Sequence, residues 1–305
     1  MLFSIYTLPI GRIIDSFGVQ HHHYADDTTL YMRIRKGDSL PPTVLNDCFS
    51  ALTLWFLYND MQLNPSKTEA MAIGTLPQLR KIDTAKPIDI SGVSVQLAEE
   101  VKIVGVTIDS RLSFDNHITN ICSSANHHIR ALRHIRSSLT HDMACTLACS
   151  IVSSRLDYCN SVLNGVSPSQ IDRLQRVQNN LARTVCCSPR HSNASELLQR
   201  LHWLPVKHRI SYKTSILTYT ALNLGTPSYL SELLQKPALA CTLRSSADTL
   251  RLVVPVTKTA MAARSFSVTA PTIWNNLSIL TRSADSITRF KSLLKTELFL
   301  SAFIS

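Results

Sequence analysis

The sequence of 305 residues has little of what secreted, membrane-spanning or disordered chains contain. None of its eight cysteines forms a Cys-x-x-Cys pair, and glycine and proline number only 8 and 13. No run reaches the roughly 18 consecutive apolar residues of a membrane span. The apolar N-terminal stretch lacks the basic start of a signal peptide and contains Pro9. These absences predict a folded intracellular protein, nuclear or cytoplasmic and not secreted, with reduced cysteines.

Motifs for common cofactors and nucleophiles are also absent, namely the P-loop, the dinucleotide-binding glycine fingerprint and the nucleophile elbow. What the chain does have is positive charge, with a formal net charge of +10. From Arg111 to Lys213 there are 13 Lys or Arg residues against 5 Asp or Glu. This excess predicts a polyanionic partner, and nucleic acid is favoured over an anionic membrane surface.

The N-terminal third has the patterns of short strands around one helix. Val19–Ile34 predicts two strands joined by a tight turn, because it combines aromatic and β-branched residues. Apolar residues at three- and four-residue spacing predict a helix over Val44–Asn59, with Thr43 as its N-cap. Further strands are predicted at Ala70–Ile73, at Val93–Leu97 and at Val101–Ile108, where Gly105 interrupts the run.

From Ser113 onward the apolar period becomes helical. One helix has a clear start, with Ser167 as N-cap, Pro168 at the first helical position and Gln170 completing a capping box. The other predicted helices are Ser113–Leu139, Asp142–Leu156, Pro205–Leu224 and Ser286–Phe303. Ala238–Ser265 is expected to be loop or strand. The chain is therefore predicted to be α+β, with segments 1–110, 111–225 and 226–305.

The segment Tyr24-Ala25-Asp26-Asp27 carries the most specific chemical signal. Two adjacent carboxylates at a hairpin tip suit a hard divalent cation held through oxygen atoms. Polymerases use two such ions to bind the attacking hydroxyl and the leaving phosphate. Since Asp-Asp is also a favoured turn pair, a purely structural interpretation stays open.

The order and spacing of several motifs resemble reverse transcriptases of non-LTR (LINE-type) retrotransposons, most closely those of the jockey-related clades. The palm-like motifs are Leu2–Tyr6, Tyr24–Thr28, Leu63–Glu69 and Val101–Asp109. Segments similar to the thumb and C-terminal region are Arg155–Asn160, His202–Val206 with Arg209, Arg264–Ser267, Ala270–Asn275 and Phe290–Lys291. The resemblance covers nearly the whole chain. It implies a partial palm in 1–110, a basic thumb-like helical bundle in 111–225 and a mixed C-terminal tail in 226–305.

The resemblance also implies roles for individual residues. Asp26 and Asp27 would be catalytic ligands of Mg²⁺, and Lys67 would act near the phosphates of the incoming dNTP. Gly105 would allow close approach of the primer backbone. The expected partners are an RNA template and a DNA primer, with no membrane. The predicted nucleic-acid contacts are Tyr24, Gly105, Arg130, Arg133, Arg136, Arg173 and Arg176.

The same resemblance predicts an incomplete catalytic site. A reverse transcriptase palm needs a further metal-binding aspartate on an earlier strand, and Asp15 is the one carboxylate that precedes Asp26. We therefore expect a C-terminal fragment of the polymerase that begins at an internal methionine and is inactive alone. Two alternatives remain open, a non-catalytic nucleic-acid-binding module and a purely structural module. A metal site at His21-His22-His23 is a weaker hypothesis, because no further ligand spacing accompanies it.

Overall fold

The computed structural model describes residues 2–34, 43–82, 87–90, 92–237 and 250–304. The chain divides into two compact units. The hairpin unit comprises Met1–Ile103 and Asp109–Arg111, and the helical unit comprises Val104–Ile108 and Leu112–Ser305. The predicted segments 111–225 and 226–305 thus fall, except for Arg111, in one compact unit. None of the helices in the described ranges has the length and apolar character needed to span a bilayer.

The hairpin unit contains short helices and strands. Its elements in chain order are α1 (Leu2–Tyr6), α2 (Leu8–Ser16), β1 (Gln20–Tyr24), β2 (Asp27–Tyr31), α3 (Thr43–Tyr58), a 3₁₀ turn (Pro65–Lys67), α4 (Leu76–Leu79), β3 (Ile88–Ile90), β4 (Val93–Val95) and β5 (Glu100–Ile103). β1 pairs antiparallel with β2, and β3 pairs antiparallel with β4. The unit therefore consists of small two-stranded ribbons and four helices, of which α2 and α3 are the longest.

The core of the hairpin unit lies where α2 and α3 pack against the first ribbon. Ile10 and Ile14 of α2 are buried with Cys48 and Leu52 of α3. Leu30 of β2 packs against the same cluster. The apolar spacing of α3 thus positions the base of the β1–β2 hairpin, while the hairpin tip projects from the core.

The first predicted hairpin and helix are confirmed in type, with shifted ends. The hairpin is shorter than Val19–Ile34, and α3 begins at Thr43, which was expected to be its N-cap. The strand predicted at Ala70–Ile73 is wrong, because Ala70 alone forms an isolated bridge with Leu97. β3 was not predicted from the sequence.

The single strand predicted over Val101–Ile108 is also wrong in its detail. The chain forms β5, turns through Val104 and Gly105, and continues as β6 (Val106–Asp109). Val104 has a φ of 45° and Gly105 a φ of 79°. Two consecutive positive φ values are typical of a tight type I′ turn, so the sequence turns where an interrupted strand was expected.

The helical unit contains eleven α-helices within the described ranges. They are α5 (Asp115–Ile135), α6 (His141–Leu147), α7 (Ser154–Asp157), α8 (Pro168–Val185), α9 (Ala194–Arg200), α10 (Val206–Leu224), α11 (Ser228–Ser231), α12 (Ala260–Ala263), α13 (Phe266–Asn275), α14 (Ile279–Arg282) and α15 (Ile287–Phe303). Of these, α7, α11, α12 and α14 are single turns of four residues. A π-helical segment, Ala148–Ser153, joins α6 to α7. Short 3₁₀ turns lie at Arg136–Ser138 and Asn160–Leu163.

α5 and α8 pack side by side through the apolar stripes that the sequence predicts. Ile118 and Ile129 of α5 are buried with Leu174 and Leu181 of α8. Three side-chain hydrogen bonds join the helices in the same order along both, namely Asp115–Gln170, Thr119–Arg173 and Arg133–Thr184. Because the order is the same, the two helices run parallel, and polar side chains follow one edge of their contact.

Two local predictions for this unit are wrong. The capping box at Ser167 does not form, since the Gln170 amide donates to Asp115 and its oxygen accepts from Arg173 at 2.8 Å. The regular helix predicted over Asp142–Leu156 instead extends from α6 through the π-helical segment to Asp157. A π segment inserts one residue per turn into a helix, which the apolar period does not reveal.

The C-terminal part packs around a second core of large aromatic residues. The ring of Phe290 in α15 lies 4.4 Å from that of Tyr219 in α10 and 5.8 Å from that of Trp274 in α13. α10 and α15 are confirmed at their predicted positions, and the Ser286 side chain caps α15. In the predicted loop Ala238–Ser265, residues 238–249 lie outside the described residues and α12 replaces loop near its end.

Candidate functional site

The acidic motif lies at the tip of the β1–β2 hairpin. Tyr24 pairs with Asp27, so Ala25 and Asp26 form a two-residue loop. Ala25 has a φ of 56°, the left-handed conformation that such loops require. Both carboxylates and the Tyr24 ring are exposed. The local sequence thus places Asp26 and Asp27 next to each other at the tip of a short two-stranded ribbon, as predicted.

The hairpin tip offers the right kind of donor for Mg²⁺ but few donors. Carboxylate oxygens are the ligands that Mg²⁺ prefers. Among the residues that the structure describes, no three His, Cys, Asp or Glu side chains form a group able to hold a metal ion. Asp15 lies beside His21, 3.4 Å from its Nδ1 atom. At about 3.3 Å per residue, His21 is roughly 10 Å along β1 from Tyr24, too far for Asp15 to share an ion with the tip.

The three histidines of β1 alternate across the ribbon as strand geometry requires. The rings of His21 and His23 lie 4.7 Å apart on the face that meets Gly11 of α2. His22 stacks on Tyr31 on the other face, with ring centroids 5.5 Å apart. Burial lowers the pKa of His23, and the neighbouring His21 and His22 lower it further, against the opposing effect of Asp15. His21 and His23 therefore pack the ribbon against α2, and His22 packs on β2.

Lys67 is exposed at the end of the 3₁₀ turn in the hairpin unit. Its backbone N–H donates to the Asn64 carbonyl at 3.1 Å, and the Ser66 hydroxyl donates to Asn64 Oδ1 at 2.6 Å. Within the described ranges, no ion pair joins Lys67 to Asp26 or Asp27. The turn fixes the backbone of this motif and leaves the ammonium group in solvent, so its proposed role at a phosphate stays a prediction.

The predicted arginines differ in what they bind within the chain. Arg136 donates to the Val185 carbonyl at 2.9 and 2.8 Å and to the Leu139 carbonyl at 2.8 Å. It therefore satisfies a backbone carbonyl at the last residue of α8, where a cation also stabilises the helix dipole. Arg173 donates to Gln170 and Thr119, each at 2.8 Å. Both guanidinium groups hold the α5–α8 pair together.

The remaining arginines lie beside these bonded ones with their charge in solvent. Arg130 is exposed one turn before Arg133, and Arg176 is exposed one turn after Arg173. Residues three apart are neighbours on a helix surface. Arg133 bonds Thr184 only at 3.5 Å, and Arg176 bonds a carbonyl of its own helix at 3.2 Å. We call Arg130, Arg133, Arg173 and Arg176 the arginine seam.

We expect Arg136→Ala to destabilise the helical unit by about 2 kcal/mol, because it removes the charged hydrogen bonds to the backbone carbonyls of Val185 and Leu139. For a unit of this size the thermal midpoint falls by roughly 4–8 °C. Circular dichroism measures the midpoint. The matched control is Arg130→Ala, whose exposed side chain should change stability by no more than about 0.5 kcal/mol. Equal midpoints for the two variants would contradict the structural role of Arg136.

Gly105 lies in the turn that precedes β6. The aromatic ring of Tyr158, also in the helical unit, covers this glycine. A Cβ atom placed on Gly105 would meet Tyr158 Cε1 at 3.5 Å. The Tyr158 hydroxyl donates to the Val104 carbonyl at 2.7 Å. The adjacent Asp157 binds Arg209 with two hydrogen bonds of 2.9 and 2.8 Å. Sequence reasoning identified this tyrosine only as part of a motif and gave it no role.

Comparison with known proteins supports one relationship. No protein-family model matches the chain, and no solved structure matches it. A stretch of 174 residues, 56% of the chain, is 25% identical to the "Probable RNA-directed DNA polymerase from transposon BS" of Drosophila melanogaster. The aligned stretch is 19% of the length of that protein, so the chain spans a small part of this relative. The similarity supports a relationship between this chain and reverse transcriptases.

Proposed function

We propose that the chain is the C-terminal part of an RNA-directed DNA polymerase of a non-LTR retrotransposon, and that its helical unit binds a template–primer duplex through phosphates. The observation that carries the proposal is the arginine seam. Its guanidinium groups follow one edge of two parallel helices, and those of Arg130, Arg133 and Arg176 belong to exposed side chains, while Arg173 is half-buried. Phosphate contacts from arginine supply affinity without sequence preference.

The length of the seam suits several phosphates. Along α5 the seam extends from the level of Thr119, which Arg173 of α8 binds, to Arg133, and fourteen residues of helix rise about 21 Å at 1.5 Å each. Phosphates along one strand of B-DNA are about 3.4 Å apart along the axis, so this edge spans roughly six of them. Such a surface binds the backbone of a duplex regardless of its sequence.

A salt titration of the purified chain tests this proposal. We expect a 20-base-pair RNA–DNA hybrid and an unrelated sequence of equal length to bind with affinities within about threefold of each other. The logarithm of affinity should fall linearly with the logarithm of salt, by about 0.9 per phosphate neutralised on duplex DNA and by a similar amount on the hybrid. Fluorescence anisotropy measures both. Absence of binding at 50 mM salt would leave the structural module as the better interpretation.

We propose catalysis for the whole polymerase of which this chain would be a part, and not for this chain alone. Asp26 and Asp27 would contribute to a Mg²⁺ site that further carboxylates complete, and weak binding is expected from the two at the hairpin tip. A non-catalytic nucleic-acid-binding role is the second candidate. It is favoured over polymerisation if the duplex binds and primer extension is not observed.

A further inference from the structure

A shallow apolar groove lies in the helical unit between α5 and the run of helix that follows it. Leu132 and Ile135 of α5 line one wall, and Leu147, Ile151 and Val152 line the other. The groove has a volume of about 110 Å³. Since an apolar cavity of about 150 Å³ accommodates benzene, this groove has room for one aliphatic side chain of a partner.

The π-helical segment Ala148–Ser153 forms much of the second wall. Its consecutive residues Ile151 and Val152 both reach the groove, and Val152 is buried while Ile151 is 40% exposed. π turns are rare within α-helices and occur frequently at functional sites. The most irregular part of this helix therefore coincides with the groove.

Large apolar side chains extend the groove along its length. Met143, Leu147 and Ile151 recur every four residues, so they share one face of α6 and the π segment. Met143 is 53% exposed, and Ile135 on the other wall is 49% exposed. The eight residues from Met143 to Ile151 rise about 12 Å, or roughly two helical turns. A partner helix presents apolar residues over the same length at positions i, i+4 and i+7.

The charged groups around the groove are mostly positive. Arg155 is exposed, and it lies near His128, which lines the groove beside the exposed His127. Burial lowers the pKa of His128, and Arg155 and His127 lower it further, so its ring is neutral at pH 7. From Asn116 to Leu156 the sequence contains one carboxylate, Asp142 at the start of α6. The arginine end of the groove therefore favours a negatively charged partner.

We propose that this groove binds an amphipathic helix of a partner protein, through apolar residues at i, i+4 and i+7 and acidic residues beside them that face Arg155. Complementary charge selects an acidic partner over a second copy of this chain, which would bring a second Arg155 to the same rim. Nucleic acid matches the charge but not the lining, because phosphates gain nothing from the exposed side chains of Ile135 and Met143.

The groove and the arginine seam lie on different sides of α5. At about 100° per residue, Arg130 and Arg133 point away from the side on which His128 and Ile135 line the groove. Protein docking at the groove therefore leaves the seam open to a duplex. The inference does not rest on the proposed function.

Isothermal titration of the full chain with two synthetic peptides tests the proposal. The first is a capped 16-residue Ala/Gln helix with Leu at positions 5, 9 and 12 and Glu at positions 2, 6 and 13. In the second peptide, Lys replaces the three Glu. We expect the Glu peptide to bind about tenfold more tightly than the Lys peptide at 0.1 M salt, because only its charges attract Arg155. Arg155→Glu should remove most of this preference.

Two serine variants test the apolar contact. Ile151→Ser should weaken binding of the Glu peptide by about tenfold or more, since contacts at the centre of an interface carry most of the affinity. Ile135→Ser on the opposite wall should act in the same way, and it leaves the π segment unaltered. The matched control is Ile279→Ser in α14, because Ile279 is 59% exposed and does not line the groove. This control should bind the peptide as the wild type does, and circular dichroism confirms that all three variants are folded.

The arginine seam is the competing site for an acidic peptide. The charge-reversed variant Arg130→Glu, Arg133→Glu, Arg176→Glu should still bind the Glu peptide within about threefold of the wild type, because the groove is intact. Loss of binding in this variant would place the peptide at the seam and overturn the proposal. Equal binding by the wild type, Ile151→Ser and Ile135→Ser overturns it too, as does absence of binding at 1 mM peptide.

Other occupants of the groove give different results. A dimer in sedimentation that Ile135→Ser dissociates would mean that a second copy covers the groove, which overturns the proposal. The RNA–DNA hybrid should bind Ile135→Ser as it binds the wild type, and a loss confined to this variant would mean that nucleic acid occupies the groove. Failure of the hybrid to bind any of these proteins overturns the proposed function and leaves the peptide result to decide this inference.

Discussion

Charge reversal of three seam arginines, Arg130→Glu, Arg133→Glu and Arg176→Glu together, is expected to weaken duplex binding by about 100-fold at 0.1 M salt. Each charged contact with a phosphate contributes roughly 1 kcal/mol or more, and tenfold in affinity corresponds to about 1.4 kcal/mol. The loss should be the same for unrelated sequences, because phosphates carry no sequence information. The salt slope should also fall, by about 2.7 if three phosphates lose their partners.

The matched control places the same change of charge elsewhere in the helical unit. Lys258, Lys291 and Lys295 are exposed, and their reversal to Glu alters the net charge equally. If binding depends on the seam, this control should weaken binding by less than about fivefold, through the general loss of positive charge. Circular dichroism confirms that both triple variants remain folded. Equal losses for the two variants would mean that net charge, and not the arginine seam, determines binding.

Local patterns predicted the hairpin and the main helices because their causes are local. Strand-forming residues surround a two-residue turn at Ala25 and Asp26, and the stripes of α5 and α8 lie at helical spacing. The ends of elements were less predictable. The sequence at Ser167 matches the capping-box motif, yet the Gln170 amide donates to Asp115, which lies 55 residues earlier in the chain.

The uses of the arginines could not be predicted from the sequence for the same reason. Arg130 and Arg136 both lie off the apolar stripe of the predicted helix Ser113–Leu139, so the periodicity does not distinguish them. Arg136 binds the last residue of α8, which is 49 positions away, while Arg130 stays exposed. Tyr158 and Val104 are likewise separated by 54 positions. Only the tertiary packing decides which polar side chains are left for a ligand.

We expect no primer extension by the chain of 305 residues, despite the Tyr24-Ala25-Asp26-Asp27 hairpin. Two-metal catalysis requires carboxylates on both sides of the ion pair, since each ion must be held against phosphate repulsion and in line with the attacking hydroxyl. Asp26 and Asp27 offer one side, at an exposed tip that lies roughly 10 Å along the strand from the carboxylate beside His21. Misplacement of a reacting group by about 1 Å already costs roughly 100-fold in rate.

The assay is primer extension on an RNA template with dNTPs and Mg²⁺, comparing the wild type with Asp26→Ala, Asp27→Ala. The wild type and the double variant should give the same background of extended primer, because neither holds two Mg²⁺ ions in position. The double variant should also bind the hybrid as the wild type does, since the seam arginines lie in the other unit. Extension that is present in the wild type and lost in the double variant would contradict the prediction. Asp15→Asn and a protein concentration series would then decide whether the completing carboxylate comes from Asp15 or from a second copy of the chain, because activity supplied by a second copy rises more steeply than linearly with concentration.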